Sequence, residues 1–160
     1  MANKFTYQVL RDTTTDAVIK ITGTFDGSGN EANNQRIQAN TLYGALATNG
    51  YPVANTQPGG IANTTLSAYN VQLTGLKYYV NFPATTPLGS VEIFWNGGGA
   101  SAAAQYANSA TIFHLNEQGE FGLGEQLPAI YNNSNGGNGD IGIYTQGGTA
   151  NSAYTLIVAL

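Results

Sequence analysis

The 160-residue chain has no cysteine, which excludes a disulfide framework, a thiolate zinc site and a cysteine nucleophile. His114 is its one histidine. Charge is scarce too: 9% of residues are Asp, Glu, Lys or Arg, where a globular domain has about 25%. That poverty argues against a free cytosolic enzyme, which relies on charge for solubility. No stretch approaches the ~18 consecutive apolar residues of a membrane span. The opening MANKFTYQVL lacks the apolar core of a signal peptide. Together these absences predict a soluble product, with no membrane partner, that does not use the standard secretory route.

The few charges are unevenly placed. Lys4, Arg11, Lys20, Arg36 and Lys77 are the only bases, and none follows Tyr78. The later half instead holds Glu92, Glu117, Glu120, Glu125 and Asp140, and the net charge is −4. Such a half cannot neutralise phosphates, so no nucleic-acid partner is expected.

What is present is uncharged polarity, with 18 Asn and 18 Thr beside 21 Gly. With 42% hydrophobic residues the chain is not of disordered composition. Threonine and glycine, without long helix-forming runs, favour strands and turns. Apolar residues recur at every second position: Phe5, Tyr7, Val9; Ile19, Ile21; Tyr69, Val71, Leu73; Tyr78, Val80, Phe82; Val91, Ile93, Trp95; Phe113, Leu115, preceded in phase by Thr111; Phe121, Leu123; Ile141, Ile143; and Tyr154, Leu156, Val158, Leu160. The five prolines fall between these runs, as ladder hydrogen bonding requires. The pattern predicts a single all-β domain over residues 1–160: an antiparallel, jelly-roll-like β-sandwich of roughly eight to ten short strands with little helix, at most one turn near Thr41–Thr48. The glycine-rich stretches 96–108 and 132–139 read as mobile loops. The closing AYTLIVAL is apolar on both faces near its end, which predicts burial on both sides or packing against another subunit.

Several stretches invite a chemical reading. In TFDGSGNE, Asp26, Ser28 and Asn30 alternate as do the first ligands of a calcium loop. The sixth position of that loop is Glu31 rather than glycine and the twelfth is Ile37, so a Gly-rich turn explains the same residues without a cation. His114 lacks a G-x-S-x-G serine elbow to act on. Glu117, Glu120 and Glu125 could pair as in a glycosidase, yet the first two bracket an expected hairpin turn where carboxylates are simply solvated. The stretches NGGGAS and NGGNGD have no following Lys-Ser/Thr and are not phosphate cradles. No catalytic, cofactor-binding or metal residue is therefore assigned. Among the aromatics, Tyr7, Tyr69, Tyr78, Trp95 and Tyr154 fall in phase with the apolar stripe and read as core. Tyr79, Phe94 and Tyr144 are out of phase and read, with Phe5, Leu156, Val158 and Leu160, as an interface.

Three segments carry a resemblance. VIKITGTFDGSGNE (Val18–Glu31), GSVEIFWNG (Gly89–Gly97) with the GEFG that follows, and NGDIGIYTQGGTANSAYTLIVAL (Asn138–Leu160) are similar to segments of virion structural proteins of tailed phages, especially those infecting marine and photosynthetic bacteria. The resemblance implies a non-enzymatic capsid decoration or cement protein, made in the host cytoplasm and placed on the capsid surface. Its expected partners are the major capsid protein and further copies of itself, as a dimer or trimer. The alternative is a receptor-binding or carbohydrate-binding module of a tail fibre or knob, using Tyr79, Tyr106 or Tyr131.

Overall fold

The computed structural model describes residues 3–13, 15–31, 34–42, 46–47, 64–65, 71–83, 89–97, 104, 108–122 and 140–160. Its strands are β1 (Lys4–Asp12), β2 (Ala17–Thr24), β3 (Asn34–Ile37), β4 (Leu46–Ala47), β5 (Thr64–Thr65), β6 (Gly75–Asn81), β7 (Ser90–Trp95), β8 (Ala110–Leu115), β9 (Gln118–Phe121), β10 (Ile141–Gln146) and β11 (Ala153–Ala159). One 3-10 turn, Ala39–Thr41, follows β3. The expected strands at residues 69–73 and 121–123 fall partly outside the described residues. Val71 and Leu73 are buried beside a single bridge at Gln72, and β9 ends at Phe121. Tyr69, Leu123, Tyr106, Tyr131 and most of the two glycine-rich stretches lie outside the described residues.

Two antiparallel sheets form the sandwich. The first has five strands in the order β1-β2-β11-β6-β9, and the second has four in the order β3-β10-β7-β8. β4 and β5 pair as a separate ribbon within the connection from β3 to β6. Setting β1 and that ribbon aside leaves eight strands in two sets of four. The chain changes sheet at every step except between β7 and β8, which is the jelly-roll winding.

Strand alternation decides which face enters the core. In β11 the pattern is strict: Tyr154, Leu156 and Val158 are at most 1% exposed, and the residues between them are half-buried. Ile19 and Ile21 pair with Val158 and Leu156, and Leu76 and Val80 extend the same face. Val91, Ile93, Trp95, Leu115, Ile141 and Ile143 face them from the other sheet. Each such aliphatic side chain contributes about 1.5–3 kcal/mol by burial. The stacked pair Phe113–Phe121, 4.6 Å between ring centroids, joins β8 to β9 across the layers.

Three aromatic rings in the sheets lie over glycines on the neighbouring strand. Tyr154 is paired with Gly23, Tyr78 with Gly119 and Phe94 with Gly142. In each case a methyl group on the glycine would collide with the ring. These glycines are not turn residues. Their missing side chains make the space that the rings fill.

The chain first reverses at Thr13–Asp16, between β1 and β2, where the Thr13 hydroxyl accepts from the Asp16 amide at 3.0 Å. Glu117 does not sit in a hairpin: β8 pairs with β7 and β9 with β6, so the turn carries the chain between sheets. That corner needs a left-handed residue, and Glu117 supplies it with φ 69°. Its carbonyl accepts from the Val80 amide at 2.5 Å.

Candidate interaction surface

The most unusual surface is the N-terminal strand. Among the described residues β1 pairs only with β2, and its other side carries no strand. Phe5, Tyr7 and Val9 stand opposite Gly23, Ile21 and Ile19, on the face that enters the core. The first sheet has one strand more than the second, and β1 is the overhang. Ile19 and Ile21 are therefore buried, whereas Tyr7 and Val9 are 44% and 47% exposed. Leu10 is the extra residue of a bulge between Val9 and Arg11 and is 48% exposed. Phe5 is half-buried because it reaches Phe25, edge to face at 5.8 Å. Partial burial pushes the Tyr7 phenol above its ordinary value, and the nearby Asp12 charge adds to the shift.

The other predicted interface residues divide. Tyr79 is 51% exposed on the outer face of the first sheet. Tyr144 and Leu160 are half-buried. Phe94, Leu156 and Val158 are buried within the protomer, which corrects their assignment to a surface. Phe94 has the outward phase on β7 yet is fully buried, with one side of its ring against Gly142. Leu156 and Val158 fail because β11 is an interior strand with one face in the core. Tyr7 shows the reverse correction: it keeps the core phase but belongs to the overhang. The signal missed in the sequence is the Val9-Leu10 doublet, where two adjacent apolar residues break the alternation at a bulge.

The region once comparable to a calcium loop is a hydrogen-bonded turn. The Asp26 carboxylate accepts from the Ser28 amide at 2.9 Å, and Gly27 and Gly29 take φ of 93° and 131°. Asn3 fastens the loop, accepting from the Asp26 amide at 3.0 Å and donating to the Gly29 carbonyl at 2.8 Å. Hydrogen bonds from the Ser28 side chain, and then from its amide, hold the Asp26 carboxyl below its ordinary value. Among the described residues no three His, Asp or Glu side chains gather where they could hold a metal ion.

The remaining polar candidates are separately placed. Glu92 is buried on the outer face of the second sheet and accepts from the Thr111 hydroxyl at 2.6 Å. Exposed His114 lies opposite, its Nε2 3.9 Å from Glu92 Oε1, beyond hydrogen-bond reach. Glu120 pairs with Lys77 at 3.3 Å on a solvated face of the first sheet. Glu117 stands in the corner turn, and Glu125 lies outside the described residues. None of these arrangements joins a nucleophile, a base and an orienting acid. Among the described residues no helix is long and apolar enough to cross a membrane.

Comparison of the chain with protein-family models, curated proteins and solved structures finds no match.

Proposed function

We propose that this protein is a non-enzymatic virion structural component: a capsid decoration or cement protein that binds between major capsid protein subunits and stabilises a tailed-phage head. The observation that carries the reading is the β1 edge, unpaired among the described residues, with Tyr7, Val9 and Leu10 exposed along it. An open edge offers unpaired backbone groups to a neighbouring strand, and adjacent apolar side chains add area to that contact. The resemblance of Val18–Glu31, Gly89–Gly97 and Asn138–Leu160 to virion proteins supplies the setting. The jelly roll is an architecture that capsid proteins use. Low charge suits lasting burial between subunits, since few ions must be desolvated. Repetition over a symmetric shell lets modest contacts add.

The test is attachment of purified protein to heads lacking it, with Val9→Lys as the variant, since lysine on an edge disfavours strand addition. Wild-type protein should bind the heads, and Val9→Lys should bind at least tenfold more weakly while remaining folded. A wild-type protein that stays monomeric and fails to bind the heads would refute the reading.

A second reading, a receptor-binding or carbohydrate-binding module, is favoured by Tyr79, an aromatic ring standing exposed on a sheet face. A selective glycan-array response without head attachment would support it over cementing.

A further inference from the structure

The outer face of the five-stranded sheet has a composition unlike the rest of the molecule. Register places Gln8, Lys20, Ile157, Lys77 and Glu120 in one row across it. The next row is Thr6, Thr22, Thr155, Tyr79 and Gln118. The row beyond is Lys4, Thr24, Ala153 and Asn81. Arg11 stands opposite Val18 on the same face, beyond the first row.

Four of the chain's five bases therefore share this face. Glu120 is the one acid on it among the described residues of the sheet, in a chain whose net charge is −4. Lys77 is paired with Glu120, and Arg11 lies 3.9 Å from Asp16 in the adjoining turn. Lys4 and Lys20 form no ion pair among the described residues: Lys4 stands opposite Thr24, and Lys20 between Gln8 and Ile157. The face thus keeps a positive excess. Among the described residues Tyr79 is its one exposed ring, flanked in its row by Thr155 and Gln118.

We propose that this face binds an acidic polysaccharide, with Tyr79 as the stacking platform and Lys4 and Lys20 drawing the negative charge. The ligand class follows from three properties of the surface. A single exposed aromatic ring, flanked by Thr155 and Gln118, offers a flat apolar plate to one sugar ring. Threonine hydroxyls and Gln and Asn amides both donate and accept, which is what vicinal sugar hydroxyls require. Strands about 4.8 Å apart repeat such groups at roughly the spacing of successive sugar units. The uncompensated lysines select carboxylated or sulfated sugars over neutral ones, with an attraction that salt screens. This inference rests on the carbohydrate-binding reading for its ligand class and adds the site and the charge of the ligand. It is independent of the β1 edge, since it uses a face of the sheet, and one molecule can hold a shell by one surface and a glycan by the other.

The experiment is affinity electrophoresis of the full chain through gels containing alginate, a polyuronate, or dextran, a neutral glucan. Alginate should retard the wild type at low salt and dextran should not. Tyr79→Ala should weaken the retardation about tenfold, the equivalent of roughly one aromatic contact. Lys4→Gln with Lys20→Gln should remove most of the salt dependence. His114→Gln, on the other sheet, should change nothing. Circular dichroism of each variant establishes that it is folded. Alginate binding that Tyr79→Ala leaves intact overturns this site and leaves a carbohydrate-binding function standing. Equal retardation by dextran overturns the acidic ligand. No retardation by either overturns both, and loss of head attachment by Tyr79→Ala without glycan binding would mark the face as a protein contact.

Discussion

The Tyr154 hydroxyl donates to the Glu31 carboxyl group, joining an interior strand of one sheet to the segment that leads into β3 of the other. Both residues are at most 2% exposed. Glu31 is also held through its backbone: its amide donates to the Thr145 hydroxyl at 2.7 Å, and its carbonyl accepts from the Thr145 amide at 3.1 Å. The two layers are thus clamped by a polar contact as well as by apolar packing.

Tyr154→Phe keeps the ring over Gly23 and removes only the hydroxyl. The expected loss is about 1–3 kcal/mol, the cost of deleting one partner of a buried hydrogen bond. In urea denaturation the midpoint should fall while the slope stays unchanged.

Gly142→Ala should destabilise by about 1–3 kcal/mol through overpacking against the Phe94 ring. Because the two positions are directly paired, Phe94→Leu in the same chain should recover part of the loss. Additive effects in the double variant would show that the clash is not the cause.

Polar replacements on β1 should separate association from stability. Tyr7→Thr, Val9→Thr and Leu10→Ser each touch an exposed side chain, so each should change stability by no more than about 0.5 kcal/mol. Binding to heads, measured by co-sedimentation, should weaken with each replacement.

Two groups give the stability a pH dependence of opposite sign. Asp26 is depressed below its ordinary 3.8, so its contribution is complete above that value and is lost as pH falls through the folded-state value. An NMR titration should place its midpoint below 3.8, and Ser28→Ala should move it back up. Tyr7 is raised above 10.0, so its contribution is present below that value and is lost as pH rises through the folded-state value. Tyr7→Phe should abolish that alkaline loss in a pH series of thermal melts.

Deleting residues 153–160 removes β11, to which β2 and β6 both pair. The shortened chain should lack a cooperative unfolding transition. A cooperative melt near that of the full chain would mean the sandwich closes without it.

Most strands were legible because alternation is a local property that burial enforces. Ile19/Ile21, Val91/Ile93/Trp95 and Tyr154/Leu156/Val158 read directly as core-facing sets and occupy those places. Phase alone does not fix burial, however. Tyr7 has the core phase, yet β1 extends past the facing sheet. Phe94 has the opposite phase, yet it is buried with its ring against Gly142. Both outcomes depend on which strand lies alongside, a long-range fact that neither residue's neighbours in sequence encode. β3 was missed because NQRI has too few apolar residues to show a period, and the Glu117 corner was taken for a hairpin because a turn between strands reads the same within or between sheets. The exposed Tyr79 was legible as out of phase, whereas the basic face around it emerged only once register brought Lys4, Lys20 and Lys77 onto one side.

The position of β11 also governs how quickly the molecule can assemble. Val18 must find Ala159, nearly the whole described chain away, before the first sheet has a middle. Such distant pairings charge their loop-closure entropy before any contact rewards it. Refolding should therefore be slow for a domain of this size, with β2 and β6 gaining amide protection together, at the moment the last strand docks between them.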